Sequence, residues 1–192
     1  MRGVCILALL FLGLAGSAHA DGELDAKMTA ADKARLAAYA STRAEAITEA
    51  EAGGSAADVA VLKKILGESH LTFRDGFDPT GKWKCRTIKL GGVLPLTIYD
   101  WFDCRISDDG SGWYLVKTSG SQRTSGRFYD DGDDRLVYLG ALHYSRDKPI
   151  DYGRDAERDQ VAYVFRSGPQ ELLMEFPAPK FESKLDILEL KR

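Results

Sequence analysis

The chain of 192 residues carries 26 basic and 29 acidic side chains, a formal net charge of −3. That length suits one domain with a sizeable core. The acidic balance gives no footing to nucleic-acid binding or to attraction by an anionic membrane surface.

Residues 1–20 read as a cleavable export signal. Arg2 supplies the short positive region, Val4 to Leu14 an apolar core too short for a stable bilayer span, and Ala18-His19-Ala20 the small-x-small cleavage pattern. The mature chain is expected to begin at Asp21, in a periplasm or outside the cell. Leu14-Ala15-Gly16-Ser17 is close to a lipoprotein signal, but Ser17 stands where the lipidated cysteine belongs. No later stretch is apolar for long enough to be a transmembrane segment. Cleavage takes Arg2 away, which leaves 25 basic against 29 acidic groups, a charge of about −4. It also takes Cys5. The two cysteines left, Cys85 and Cys104, are expected to pair in an oxidising compartment.

Residues 21–80 read as a helical hairpin and a linker. Thr29-Ala30-Ala31-Asp32 resembles a capping box with Asp in its fourth place. Leu36, Tyr39, Ala40, Arg43 and Ile47 then fall on one stripe at three- and four-residue spacing until Gly53-Gly54 stops the helix. Ser55 caps a second helix whose apolar face is Val59, Leu62, Ile65 and Leu66, and Gly67 ends it. The pair is expected to pack against the domain that follows or cover one end of it; the alternative is a docking surface for a partner. Gly76, Asp78-Pro79 and Gly81 mark 68–80 as a turn-rich connection.

From Gly81 the pattern changes to period two. The segments around Cys85 and Cys104 are expected to form an antiparallel ribbon with the two cysteines directly opposite. In that register Trp83 faces Ile106 and Thr87 faces Phe102 on the cystine's side. Arg86 meets Asp103 and Ile88 meets Trp101 on the other side, where Lys84 opposes Arg105. The connection at 90–97 has Gly91-Gly92 and Pro95 to break pairing, yet it is unusually apolar for a loop. Further strands are expected at 113–117, 122–129, 135–144, 160–166, 171–176 and 184–190, between Asp-, Gly- and Pro-bearing turns. Residues 81–192 therefore read as a mainly β domain of about eight antiparallel strands. An up-and-down barrel is the first expectation and a β-sandwich the alternative.

Gly81-Lys82-Trp83 resembles the Gly-x-Trp that opens the first strand of the lipocalins and their calycin relatives, which implies a lipocalin-like barrel. The chain departs from those families in its leading helical segment and in having no obvious arginine motif near its end to partner the tryptophan. More closely it resembles an uncharacterised family of exported bacterial proteins, a domain of unknown function. That likeness runs through Trp83-Lys84-Cys85-Arg86-Thr87, Gly120-Ser121-Gln122-Arg123-Thr124-Ser125-Gly126 and Leu185-Asp186-Ile187-Leu188-Glu189-Leu190. It implies a single exported domain and supplies no activity.

No catalytic constellation stands out. His143, on a strand, reads as structural. Ser145-Arg146-Asp147-Lys148 spells Ser-x-x-Lys only in a polar loop ahead of Pro149. Asp130, Asp131, Asp133 and Asp134 surround Gly132, but the distal Glu of a Ca²⁺ loop is missing and Asp-Gly suits a hairpin turn. No metal and no cofactor is expected. Gly120 to Arg127, with two arginines among hydroxyls, is the candidate stretch for holding a carboxylate or phosphate. The first functional expectation is a non-enzymatic binding protein that holds a small amphipathic ligand in the barrel mouth. Trp83, Tyr138, Tyr163 and Phe165 are its expected apolar lining, with Arg123 and Arg127 at the entrance. The alternative is a side-chain-filled barrel that docks on another envelope protein, as an interaction or inhibitor module. An enzyme is the third reading.

Overall fold

The computed structural model describes residues 20–74 and 76–192; the export signal expected over 1–20 lies, Ala20 apart, outside them. Among the described residues four helices precede the strands: α1 (Ala20–Lys27), α2 (Ala30–Ala37), α3 (Tyr39–Gly53) and α4 (Ala56–Leu66). The helical region is thus more divided than the hairpin expected from the sequence, because the first long stripe breaks at Ala38. The two caps form as their residue types dictate. The Thr29 and Ser55 hydroxyls accept from the backbone N–H of Asp32 at 3.2 Å and of Asp58 at 3.1 Å.

Nine strands follow: β1 (Gly81–Leu90), β2 (Leu96–Ile98), β3 (Phe102–Asp108), β4 (Trp113–Lys117), β5 (Gln122–Asp130), β6 (Leu136–Tyr144), β7 (Asp159–Gly168), β8 (Glu171–Pro177) and β9 (Leu185–Lys191). From β3 onward each pairs antiparallel with the next, and β9 returns to β1 through Cys85↔Leu190 to Leu90↔Leu185. Eight strands therefore close into a barrel, and β2 is extra. Since β9 takes one edge of β1 along residues 84–90, β2 must use the other edge at Ile88–Leu90, beyond the stretch where β3 pairs with Gly81–Cys85. Closure leaves no free sheet edge on the main wall.

Cys85 and Cys104 are disulfide-bonded, but the expected register is off by two residues. Cys104 lies opposite Trp83, Cys85 opposite Phe102, and Gly81 rather than Trp83 opposite Ile106. A two-residue slip keeps every side chain on its expected face. It also puts Lys84 opposite Asp103, joined at 2.6 Å, and moves the like-charge partner of Arg105 from Lys84 to Lys82. The cysteines are diagonal neighbours, drawn to a Cα–Cα distance of 5.9 Å, which is within disulfide reach.

Alternation sends Trp83, Cys85, Ile106, Leu115, Phe128, Tyr138, Val164, Met174 and Leu190 inward as one buried cluster. The outer wall is buried as well where helices cover it. Ala46 and Ala50 of α3 and Leu62 and Ile65 of α4 pack on Ile88, Leu90, Leu173, Leu185 and Ile187. Leu24 of α1 and Leu36 of α2 pack with Val137, Leu139 and Val161. Strands buried on both faces read as apolar runs, which is why β6 and β8 look so hydrophobic in sequence. A polar clasp fixes α3 to this wall. The Glu175 carboxylate, almost fully buried, accepts from the Tyr39 hydroxyl at 2.7 Å and from Arg43 Nε at 2.7 Å. Burial, and then that carboxylate, hold the Tyr39 hydroxyl well above its ordinary pKa.

One end of the barrel is sealed by the linker. Phe73 and Phe77 pack against the inner cluster, and Trp83 Nε1 donates to Pro79 O at 2.7 Å. Arg192 stacks its guanidinium 4.5 Å from the centre of the Trp83 ring and donates to the carbonyls of Asp78 and Thr80. An arginine partner for this tryptophan therefore exists, although no motif announces it.

Candidate functional site

The opposite end of the barrel is different in chemistry. There side chains near the C-terminal ends of β1, β4, β6 and β8 and the N-terminal ends of β3, β5, β7 and β9 surround a cavity of about 170 Å³. Its wall holds three cations, Lys89, Lys117 and Arg123, and two carboxylates, Glu182 and Asp186. Gln122, Gln160, Thr87 and Thr124 supply neutral polar groups, and Phe102, Leu142, Phe176 and Leu188 the apolar part. Below it the interior is filled: Tyr138 is fully buried, and its hydroxyl shares a 2.7 Å hydrogen bond with that of Thr124.

The charges are not evenly matched. Lys89 Nζ donates to Glu182 Oε2 at 2.8 Å and lies 3.8 Å from Asp186 Oδ2. Burial works against its charge, but those two carboxylates outweigh burial and hold Lys89 above its ordinary pKa. Asp186 also accepts from Ser183 Oγ at 2.5 Å. Its own pKa is raised by burial, which exceeds the opposing pull of Lys89 and Ser183.

Lys117, only 6% exposed, makes no ion pair among the described residues. Its ammonium donates to Thr87 Oγ1 at a long 3.4 Å and sits 4.5 Å from the centre of the Phe102 ring. Burial pushes its pKa down to about 8. Lys89 and Arg123 add to that, while Asp186 opposes it. An ammonium has three donors, and a buried one without acceptors is costly. The cavity also contains a buried Gln160 amide oxygen with no hydrogen-bond partner among the described residues. Arg123 spends its Nε on Gly120 O at 3.0 Å.

Of the six ligand-lining residues expected from the sequence, the structure brings Arg123 to this cavity. Trp83 and Tyr138 point inward but are packed into the filled part of the barrel. Tyr163 and Phe165 lie on the outer wall, the first edge-on to Tyr39 at 4.8 Å and the second stacked on His70 at 4.4 Å. Arg127 is also outside, joined to Asp109 at 2.6 Å. The Gly120–Thr124 stretch forms part of the cavity rim, and Gly120 takes the positive φ of +88° that lets the chain turn there against Phe102. His143 faces outward, opposite Arg123 across β5 and β6. It is buried with no partner for either ring nitrogen among the described residues, and burial lowers its pKa.

Sequence reasoning missed Lys89, Lys117, Asp186 and Gln160. A signal was present: Lys89 has the parity of Trp83 and Cys85, and Lys117 that of Leu115, so each places a charge on an apolar face. The Asp130–Asp134 cluster is a turn in which Asp131 pairs with Arg135 and Asp133 with Arg74. Among the described residues no group of His, Cys, Asp and Glu is placed to hold a metal ion, and no helix is long and apolar enough to cross a membrane. The disulfide is compatible with export.

Comparison with known proteins gives one match. The model of a family described as a domain of unknown function, DUF4893, matches residues 25–190, which spans helices and barrel together. No curated protein and no solved structure matches the chain.

Proposed function

We propose, for a chain that belongs to the DUF4893 family and takes no activity from that membership, a non-enzymatic binding role: the open end of the barrel holds one small anion, a carboxylate or a phosphate. One observation carries the reading. The Lys117 ammonium is buried against a cavity and lacks an acidic partner among the described residues. An acceptor-rich ligand would supply what the fold withholds. At about 170 Å³ the space is below the range of roughly 300–1,000 Å³ that suits drug-sized ligands, so the ligand is of small-metabolite size. The aromatic residues first expected to line the site lie outside this space, so the proposal moves the ligand from an amphipathic seat to a polar one.

Isothermal titration of the protein with acetate, propionate, lactate and phosphate tests this. Saturable binding to wild type is expected, lost in Lys117→Met and weakening as pH rises through about 8, where the ammonium discharges. No binding by any of the four, or equal binding by the variant, overturns the proposal.

A second reading has its own support. Val93 and Leu94, 78% and 59% exposed, stand out on the β1–β2 turn. That turn is pinned by hydrogen bonds from Gly92 N to Glu49 and from Val93 N to Glu182 O. A rigid apolar tip of this kind suits docking on an envelope protein. Copurification that Val93→Asp abolishes, with no small anion bound, favours that reading instead.

A further inference from the structure

We propose that Lys117 is a nucleophilic amine that captures a small 2-oxo acid as a reversible imine, while Arg123 holds the acid's carboxylate. This deepens the anion-binding reading of the same cavity and rests on it.

Three features of the site point to it. First, the amine is inside the barrel with one long hydrogen bond to Thr87 and no ion pair among the described residues; Asp186, in the same cavity, favours its charge, but burial outweighs that pull. Two cations, Lys89 and Arg123, line the same cavity and disfavour a third charge there. With a pKa of about 8, roughly a quarter of Lys117 is neutral at pH 7.5, against about one part in a thousand for an ordinary lysine. Desolvation and a neighbouring cation are the two means by which proteins activate amines toward carbonyls.

Second, the cavity already separates two roles. Lys89 is occupied by Glu182 and Asp186. The Arg123 guanidinium, at the rim of the cavity, is bonded among the described residues through Nε to the Gly120 carbonyl, which leaves its Nη groups for a planar carboxylate. A 2-oxo acid carries a carbonyl next to its carboxylate, and so matches an amine and a guanidinium that line one small space. Third, the Phe102 ring covers the amine on one side, and the filled interior below excludes water from the other direction. Both protect a C=N bond from hydrolysis.

The step balances without an oxidant or a reductant. The Nζ lone pair attacks the carbonyl carbon and opens the C=O bond to a carbinolamine. The oxygen then departs as water with the two protons the neutral amine carried, leaving Nζ=C. Reversal returns the free acid.

The test is reductive trapping on the full mature chain with pyruvate and sodium cyanoborohydride at pH 7.5, read by intact mass and peptide mapping. One adduct is expected, on Lys117, formed about tenfold or more faster than on any other lysine, because the neutral fraction sets the rate. Excess lactate, which has the carboxylate but no ketone, should suppress it. Lys117→Arg, a cation without a reactive amine, should lose it. An adduct spread evenly over surface lysines, or undiminished by lactate, overturns the inference. Lactate that binds by titration while pyruvate leaves no adduct overturns the imine and leaves anion binding standing. If neither ligand binds or reacts, both fail.

Discussion

A lysine stripped of water and given no carboxylate is a cost to the folded state, and pH exposes the cost. In the folded chain Lys117 titrates near pH 8, below its ordinary 10.5. Between those values the unfolded chain holds more protons, so stability rises with pH across that window, and the penalty is present in full below about pH 8. Lys117→Met removes the titration. The variant's stability relative to wild type should therefore be highest below pH 8 and fall by up to about 3 kcal/mol by pH 10.5. Urea unfolding of both proteins across that window checks it, and a difference that does not change with pH would show that Lys117 is hydrated. Such a residue is hard to find by reading the chain. Lys117 stands in Trp113-Tyr114-Leu115-Val116-Lys117 as an apparent strand-ending charge, and only the inward parity it shares with Leu115 betrays it.

At the scale of elements, two devices hold parts together. The Tyr39–Arg43–Glu175 clasp ties α3 to β8. Arg43→Met leaves a carboxylate that is 1% exposed with the Tyr39 hydroxyl as its remaining partner, which should cost about 3 kcal/mol in a urea titration. Adding Glu175→Leu to that variant should recover most of the loss, because an apolar pair replaces a stranded charge. The Cys85–Cys104 bridge closes a separation of 19 residues. Cys85→Ser should lower stability by about 3 kcal/mol against oxidised wild type. Most of that gap should close when dithiothreitol is added to both; equal melting without reductant would remove the bridge from the account. The strands were legible because turn chemistry punctuates them: Asp109 to Gly112 and Ser119 to Ser121 fall between observed strands, and Ser167-Gly168-Pro169 stands where β7 ends. The register was not legible. Two cysteines on one face fit both a direct and a diagonal pairing, and local alternation cannot choose between slips of two. Nor did helix periodicity foresee the break at Ala38, where the chain leaves β7, against which α2 lies, for the wall of β1, β2, β8 and β9 that α3 covers.

Across the whole molecule, burial is divided by end and by side. The inner cluster fills one half of the barrel, the helices cover the outer wall of β1 and β6–β9, and the charged residues of the interior gather at the remaining end. A barrel with a Gly-x-Trp start suggests an apolar receptacle, yet here the tryptophan and Tyr138 are part of the fill. That distinction depends on how side chains from eight strands meet, and no single strand's sequence contains it. The sealed end has a consequence of its own. With the linker, Trp83 and Arg192 stacked across it, the barrel is a tube with one door. Whatever occupies the cavity must arrive and depart past the same rim, between the Gly120 turn and Glu182. Narrowing that doorway without touching the bound molecule slows entry and exit by the same factor. The occupancy at equilibrium is then untouched, and only the time taken to reach it is lengthened.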